Sequence, residues 1–250
     1  MKNTLNESDK SYWHRYIDFY ESELSDFKCR HVLEFGVWKG GSIKWLMERF
    51  PDSSIYGADI LDVQPSWPLD ARVKYFNVDQ GDIYQVKSLF NLIGVGLDLV
   101  IEDGSHMPVH QRNCLVDAIP HIRSGGIYIL EDIQTSHPKH PYYRKERPWF
   151  NPMIGVLHLL LAIEHLRCCI GQIDIQSKLA SLAVNSLFNI NEVQMLNERI
   201  DSVKIYKRTM LPKRCFSCGG SEFNYAALKC KCGTPLYAEA DSMSALIRIK

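Results

Sequence analysis

The stretch LDLVIEDGSH, residues 97–106, decides the fold class of this 250-residue chain. Its first half is a short apolar run with branched residues, which is typical of a buried strand. The run ends abruptly in two acids, a Gly-Ser turn and His106, where a helical pattern begins. In a chain that alternates strands and helices, such a strand end places its polar residues in the ligand crevice of an open sheet. Taken alone, the pattern also fits an ordinary strand end with solvated polar residues.

The same pattern recurs along the chain. Predicted strands span residues 30–35, 54–59, 73–78, 97–101 and 127–130, with a late strand at 201–207. Predicted helices span residues 8–24, 42–50, 83–92, 107–122 and 153–167. Strands that alternate with helices predict an α/β fold with a Rossmann-like, doubly wound and mostly parallel sheet. The first five strands all end in polar or glycine residues, which favours a ligand site over coincidence.

Composition excludes several classes of protein. Hydrophobic residues make up 46% of the chain, an ordinary globular balance. Lys and Arg together number 29, as do Asp and Glu, so the neutral net charge argues against nucleic acid or an anionic membrane as partner. The polar N-terminus lacks a signal-peptide pattern, and we expect a cytoplasmic protein without a membrane span. The eight cysteines are therefore expected to be thiols or metal ligands.

The glycine turn after the first strand indicates the cofactor. Its glycines, Gly36, Gly40 and Gly41, lack the Gly-x-Gly-x-x-Gly spacing of a dinucleotide site, and Glu34 precedes them. An acid beside this turn suits a cationic ligand, and Asp59 at the end of the second strand can accept hydrogen bonds from ribose hydroxyls. An adenosine joined to an amino-acid cation describes S-adenosylmethionine. The alternative is a turn selected only for tight packing of helix on strand.

Several segments of the sequence resemble a known family. The similar segments are residues 9–11 with His14, Tyr16 and Tyr20, LEFGVWKGGS at 33–42, VDQGD at 78–82, EDGSH at 102–106, and Glu131-Asp132 with Thr135-Ser136. Together they resemble class I S-adenosylmethionine-dependent methyltransferases. The similarity is greatest to the branch with the macrolide-sugar O-methyltransferases of the mycinamicin and tylosin pathways and the cephalosporin-hydroxylase-like group. It covers roughly residues 8–137.

The resemblance implies a role for each matching position. Glu34, Gly36 and Asp59 would hold the methionine and ribose parts of the cofactor, Asp79 or Gln80 would lie near adenine, and Gly40 and Ser42 belong to the same cofactor motif. Asp103, Glu131 and Asp132 would bind Mg²⁺, with His106 as general base. One position departs from the pattern, since residue 131 is Glu where an Asp can stand in that group.

These residue types suit methyl transfer to an alcohol. A hydroxyl is a poor nucleophile unless it is deprotonated, and a magnesium ion on hard carboxylates lowers its pKa. A histidine can take the proton near neutral pH. His110 would orient the base or is a solvated helix position. The connection at 134–152 carries aromatic residues and prolines, and it is interpreted as a substrate lid, with a mobile surface loop as the alternative.

The end of the chain is predicted to be a separate zinc-ribbon-like segment. Cys215 and Cys218 form one pair, and Cys230 and Cys232 form the second. Four thiolates in two pairs suit tetrahedral Zn²⁺, although the second pair has one intervening residue where two are usual. Iron, or four unrelated thiols, are the alternatives. The predicted domains are residues 1–212 for the methyltransferase and 213–250 for the ribbon.

The sequence thus predicts a Mg²⁺-assisted O-methyltransferase that acts on a hydroxyl of a sugar or glycosylated small molecule. Alternatives are methylation of an amine or an acidic oxygen on a surface-polysaccharide precursor, a nucleic-acid methyltransferase that uses the ribbon as reader, and a scaffold that binds cofactor without turnover. Homo-oligomer formation is left open. The sequence does not identify the acceptor.

Overall fold

The computed structural model describes residues 8–137, 139–141, 154–168, 174–237 and 242–250. The strands are β1 His31–Phe35, β2 Ser54–Asp59, β3 Val73–Asn77, β4 Leu97–Glu102, β5 Ile122–Leu130, β6 Ile200–Lys207, β7 Phe223–Asn224, β8 Lys229–Cys230 and β9 Met243–Ile249. The helices are α1 Asp9–Tyr12, α2 Tyr16–Glu23, α3 Gly41–Arg49, α4 Ile83–Ile93, α5 Pro108–Ala118, α6 Val156–Cys168, α7 Ile175–Leu182 and α8 Ile190–Arg199.

Seven strands form one sheet in the order β3-β2-β1-β4-β5-β9-β6. Neighbours among β1 to β5 are parallel, whereas β9 runs antiparallel to both β5 and β6. The predicted Rossmann-like, mostly parallel sheet is therefore confirmed. The order reverses direction at β1 and β4, where the crossovers diverge and a crevice opens at the carboxyl edge.

Both faces of the sheet are covered. Leu33 and Phe35 of β1 belong to one buried cluster, while Val32 belongs to a second one that also contains residues of α2 and α3. This split follows from the alternation of side chains along a strand. Because each face buries its own cluster, the parallel strands read as nearly continuous apolar runs rather than as an alternating pattern.

The predicted N-terminal helix is wrong in its middle. Residues 8–24 form two helices, α1 and α2, which are separated at Trp13, His14 and Arg15. Arg15 has a φ of +61°, in the left-handed region that a right-handed helix cannot contain. The break turns the chain so that α1 reaches the carboxyl edge of the sheet, as described below.

The predicted helix 107–122 is also too long. Helix α5 ends at Ala118, a 3₁₀ turn covers Ile119–His121, and Ile122 already begins β5. Pro120 lies in that turn, where its ring and missing N–H prevent the α-helix from continuing.

Strand β9 was not predicted, and it changes the organisation of the chain. Tyr128 of β5 lies opposite Ile247, and Val203 of β6 lies opposite the same residue from the other side. The division at residues 212 and 213 assigned this strand to the small segment, but its backbone pairing places it inside the large sheet. The four cysteines therefore lie on an excursion between β6 and β9. That this excursion folds as a separate unit stays a prediction.

The cysteine excursion contains a two-stranded hairpin. Strands β7 and β8 pair antiparallel, with Phe223 opposite Cys230. The turn between the two strands includes Leu228, which has a φ of +47°. The predicted substrate lid at 134–152 is described only in part. Ile133–Ser136 forms a 3₁₀ turn, whereas residues 138 and 142–152 lie outside the described residues. Among the described residues, no helix is both long and apolar enough to cross a bilayer.

Candidate active site

The carboxyl ends of the parallel strands lie side by side. Phe35 of β1 pairs with Ala58 of β2 on one side and with Glu102 of β4 on the other, and Glu102 pairs in turn with Leu130 of β5. The residues that follow each of these positions therefore lie at one level along this edge. A cavity of about 470 Å³ opens there, within the range of small-molecule sites.

Most of the predicted site residues line this cavity. The predicted cofactor residues on its surface are Gly36, Asp59, Asp79 and Gln80. The predicted catalytic and metal residues on its surface are Asp103, His106, Glu131 and Asp132. Sequence positions far apart are thus brought to one pocket by strand ends, as the motif order predicted.

Asp59 organises the first turn as well as facing the cavity. Its Oδ2 accepts hydrogen bonds from the backbone N–H groups of Val37 at 2.7 Å and Trp38 at 3.0 Å, and Oδ1 accepts one from Leu61 at 3.0 Å. A carboxylate has about four acceptor positions, so one remains for a ribose hydroxyl. Gly36 has a φ of +88°, and a Cβ there would lie 2.0 Å from the carbonyl oxygen of Asp103.

Gly40 and Ser42 support the turn rather than the large cavity. Gly40 has a φ of +76° and packs against Trp67 and Pro68, so its glycine is required by backbone conformation and close packing. Ser42 lines a smaller adjoining cavity, and its hydroxyl donates to Glu34 Oε2 at 2.7 Å. The cofactor motif predicted that Gly40 binds the cofactor. In the structure, Gly40 is not among the described residues that line the large cavity.

Lys10 is the main site residue that the sequence analysis did not identify. Its ammonium nitrogen lies 3.0 Å from Glu34 Oε1, 2.9 Å from Asp103 Oδ2 and 2.8 Å from Glu131 Oε1. The side chain is 5% exposed. Burial lowers the pKa of Lys10, but the three carboxylates outweigh it and leave the pKa well above 10.5. Lys10 therefore remains charged and neutralises acids from three strand ends.

Glu131 and Glu34 are consequently engaged by protein groups. Glu131 Oε1 accepts hydrogen bonds from Lys10 and from the Tyr20 hydroxyl, and Glu34 is fully buried between Lys10 and Ser42. Burial raises the pKa of both carboxyls, and Lys10 opposes that rise. Glu34 would thus act on a cofactor through Lys10 more readily than by direct contact.

His106 faces two aspartates. Its Nε2 lies 3.5 Å from Asp132 Oδ2 and 3.9 Å from Asp103 Oδ1. Burial lowers the pKa of His106, but the charges of Asp132, Asp103 and Glu102 outweigh it and raise the pKa above 6.5. Among the described residues, none forms a hydrogen bond with the buried Nδ1. His106 and Asp132 also have left-handed backbones, with φ of +57° and +49°, and such strain is concentrated at functional sites.

Asp132 is held in position by helix α2 and its own turn. Tyr16 Oη donates to Asp132 Oδ1 at 2.7 Å, and Gln134 Nε2 donates to the same oxygen at 3.1 Å. Oδ2 is left facing His106. The sequence assigned Tyr16 and Tyr20 no role beyond a segment that resembles the family, whereas in the structure their hydroxyl groups bond Asp132 and Glu131.

Gln80 joins the ends of β3 and β4. Its Nε2 donates to Glu102 Oε1 at 2.7 Å, and its Oε1 accepts the N–H of Ser105 at 3.0 Å. A Cβ at Gly104 would lie 1.9 Å from that Oε1. A side chain at position 104 would therefore have to displace Gln80 from its bonds to Glu102 and Ser105. Asp79 lies one residue earlier with Oδ1 bonded to the N–H of Gly81 at 2.8 Å. His110 also lines the cavity, with Nδ1 2.8 Å from Ser105 Oγ.

Two groups of described residues have the composition and spacing to hold a metal ion. In the first, ligand atoms of Asp103, His106 and Asp132 lie within 4.8 Å of one another, and Glu131 is not in this group. The second consists of the four cysteines, with Sγ atoms of Cys215 and Cys232 3.6 Å apart and those of Cys218 and Cys230 3.5 Å apart. Tetrahedral Zn–S bonds of about 2.3 Å imply sulfur separations of about 3.8 Å, close to this geometry.

The fold and the cavity at its carboxyl edge agree with comparisons to known proteins. The model of the FtsJ-like methyltransferase family matches residues 16–140, half of the chain, and the chain belongs to this family. This confirms the methyltransferase resemblance. The match spans β1 to β5 and the turns that build the cavity.

Individual relatives of known name are also similar to this chain. The chain is 33% identical over 133 residues to mycinamicin VI 2''-O-methyltransferase of Micromonospora griseorubida, covering 50% of this chain and 33% of that protein. It is 34% identical over 139 residues to 8-demethyl-8-α-L-rhamnosyl tetracenomycin-C 2'-O-methyltransferase of Streptomyces olivaceus, covering 52% and 36%. The chain thus spans about a third of the length of these relatives.

One solved structure extends the fold comparison to nearly the whole chain. The MycE methyltransferase of the mycinamycin pathway, in complex with Mg, SAH and mycinamycin VI, has a TM-score of 0.57 and 21% identity. The match covers 94% of this chain and 48% of MycE. It supports the Rossmann-like fold assigned from the strand order.

Proposed function

We propose that this protein transfers a methyl group from S-adenosylmethionine to a hydroxyl of a sugar or glycosylated small molecule. The observation that carries this proposal is the convergence of Asp103, His106 and Asp132 on the cavity that also contains Asp59 and Asp79. A cofactor at the Asp59 side would present its methyl group toward the His106 side. The relatives named for methylation of sugar hydroxyls support the acceptor class.

Asp103 and Asp132 fit a divalent cation such as Mg²⁺. Hard carboxylate oxygens are its preferred ligands, and the two groups face one another across His106. When bound there, the ion would lower the pKa of an acceptor hydroxyl. Glu131 was predicted as a third ligand, but Lys10 and Tyr20 already bond its Oε1. We therefore assign Glu131 to the positioning of Lys10.

His106 would act as the general base. The neutral imidazole takes the hydroxyl proton through Nε2, and Asp132 then stabilises the imidazolium. Tyr16 and Gln134 keep Asp132 oriented toward the ring. Lys10 lies 2.9 Å from Asp103 Oδ2 and offsets the negative charge of the acids around it. Each of these side chains has a role before any proton moves.

Four thiolates fit a structural Zn²⁺ in the cysteine excursion. Cys215, Cys218, Cys230 and Cys232 bring their sulfurs to nearly tetrahedral separations. Elemental analysis should find about one zinc per chain, and Cys218→Ser should abolish it. Zinc that survives this substitution would exclude the assignment.

The test of function is a product screen with isotope-labelled S-adenosylmethionine. Sugar glycosides such as 4-nitrophenyl α-L-rhamnopyranoside are offered with and without EDTA. His106→Ala should lower turnover roughly 10²- to 10⁴-fold with little change in cofactor affinity, because a general base acts only on the reaction. The matched control is His121→Ala, which removes a histidine stacked on Phe90 at 4.8 Å, away from the cavity.

Other outcomes would redirect the proposal. Normal turnover by the histidine variant would exclude the base. Label transferred to amines, or to RNA in a salt-dependent reaction, would favour the alternative acceptors. Cofactor binding without transfer to any acceptor would favour a scaffold.

A further inference from the structure

The cysteine excursion lies against the active-site cavity. Phe216, between Cys215 and Cys218, lines the cavity together with Asp9, His14 and Asp132. Its side chain is 54% exposed, although its two flanking cysteines are predicted metal ligands. An exposed aromatic ring on a short metal-binding loop, facing a ligand cavity, is not explained by the packing of the excursion itself.

The excursion is also bonded to the break between α1 and α2. The N–H of Lys213 donates to the Tyr12 carbonyl at 2.7 Å. Arg208 is fully buried, and it donates to the carbonyls of Trp13 and Leu236, each at 3.0 Å. One guanidinium thus joins the cysteine excursion to the N-terminal segment.

Apolar contacts reinforce these bonds. Trp13 packs on the small core of the excursion, which contains Cys215, Cys230 and Leu236. The rings of Trp13 and Phe216 lie 6.0 Å apart. With so few buried apolar side chains, the excursion needs a bound metal to hold one conformation.

The segment held in this way carries site residues. Lys10 on α1 contacts the three strand-end carboxylates, and His14 in the break has its Nδ1 4.0 Å from Asp132 Oδ1 and 2.8 Å from Ser242 Oγ. Order at the thiol cluster is therefore linked, through Tyr12 and Trp13, to the position of Lys10 and His14.

We propose that the cysteine excursion is a metal-dependent wall of the active site, and that Phe216 on it binds the acceptor. This inference rests on the proposed function for the acceptor class. The flat ring of Phe216 would pack on the apolar face of a sugar, while the hydroxyl to be methylated faces His106. The bound metal sets the position of Phe216 and stabilises the segment that holds Lys10.

The first experiment tests Phe216 with 4-nitrophenyl α-L-rhamnopyranoside as the acceptor. Phe216→Ala should raise the KM for the rhamnoside at least fivefold, with kcat, zinc content and the Kd for S-adenosylhomocysteine within twofold of the wild type. Phe216→Tyr should restore the KM. Tyr225→Ala is the matched control, since this ring is 71% exposed on the same excursion. Equal KM values for the Phe216→Ala and Tyr225→Ala variants would overturn the role of Phe216.

The second experiment tests the wall without any acceptor. Hydrogen–deuterium exchange is compared in the zinc-loaded protein, the chelated protein and Cys218→Ser. Loss of metal should speed exchange at least fivefold at residues 9–16 and leave β1 unchanged. Unchanged exchange at residues 9–16 would overturn the metal-dependent wall. If the wild type transfers the label to none of the sugar glycosides in the screen, the proposed function and the acceptor role of Phe216 fail, while the exchange result still decides the wall.

Discussion

At the scale of single residues, two glycines with similar backbones occupy different surroundings. Gly36 and Gly125 have φ of +88° and +79°, but a Cβ at Gly36 would meet the backbone of Asp103 at 2.0 Å, whereas no atom of the described part of the chain lies within 4 Å of a Cβ at Gly125. Gly125→Ala should cost about 1–2 kcal/mol from the left-handed backbone alone. Gly36→Ala should cost about 1–3 kcal/mol more, because backbone must move. Urea unfolding measures both, and equal losses would contradict the close approach of β1 and β4.

Lys10 gives a second residue-scale prediction. Lys10→Met removes the cation and leaves the three carboxylates of Glu34, Asp103 and Glu131 together. In EDTA at pH 8 we expect a loss of about 3–5 kcal/mol in the free energy of unfolding. Burial already raises the pKa of Glu131, and the variant raises it further, so the folded state holds protons that the unfolded state releases. The loss should therefore shrink as pH falls toward 5.

Exposed Lys39 provides the comparison for Lys10. Lys39→Met should change stability little at any pH, because this side chain extends over the Trp38 ring at the surface. If the Lys10→Met loss were the same at pH 5 and pH 8, the buried carboxylates would not be the cause.

The two kinds of site residue differed in how far sequence could identify them. Asp103 and His106 follow a strand directly, and a strand end fixes where the next side chains lie. Lys10 stands near the start of an amphipathic helix, where a lysine is usually solvated, and it reaches the site only because the chain breaks at Arg15. The segment at 9–11 resembled the family, but that resemblance did not indicate which acidic residues Lys10 would contact.

At the scale of elements, the position of β9 yields the clearest prediction. Leu246, Ile247 and Ala245 are buried between β5 and β6. Truncation after residue 242 removes both sets of strand pairs and should prevent folding, seen as loss of soluble protein and of cooperative unfolding. Removal of Lys250 alone, at the exposed end of the strand, should leave the unfolding midpoint nearly unchanged. A soluble, cooperative truncated protein would contradict the strand order.

Strand β9 is also the part of the sheet that the sequence did not predict. Helices join most of the strands from β1 to β5, so the local pattern and the crossover rule predicted a mostly parallel sheet. Strand β9 is paired with partners distant in sequence and follows two cysteine pairs that already indicated a separate unit. Its apolar run, SALI at 244–247, was the available signal.

At the scale of the whole molecule, ligand binding should stabilise the fold. S-adenosylhomocysteine at about 100 times its Kd should add about 2.7 kcal/mol, because it binds the folded state alone. For a chain of this size that is a rise of roughly 5–10 °C in Tm. NAD at the same concentration should give no shift, since the first turn lacks the dinucleotide spacing. An equal shift with NAD would contradict the cofactor assignment.

The antiparallel strand between β5 and β6 also has a consequence during synthesis. A ribosome releases β1 to β5 long before β9. Until β9 is made, the edge of β5 at residues Ile127 to Leu130, which are buried in the folded protein, has no strand paired with it. Such an edge is a site for wrong pairing with another chain. Local closure of the cysteine excursion around zinc would bring β9 back toward that edge as it emerges. Metal supply in the cell would then govern the yield of the protein as well as its final form.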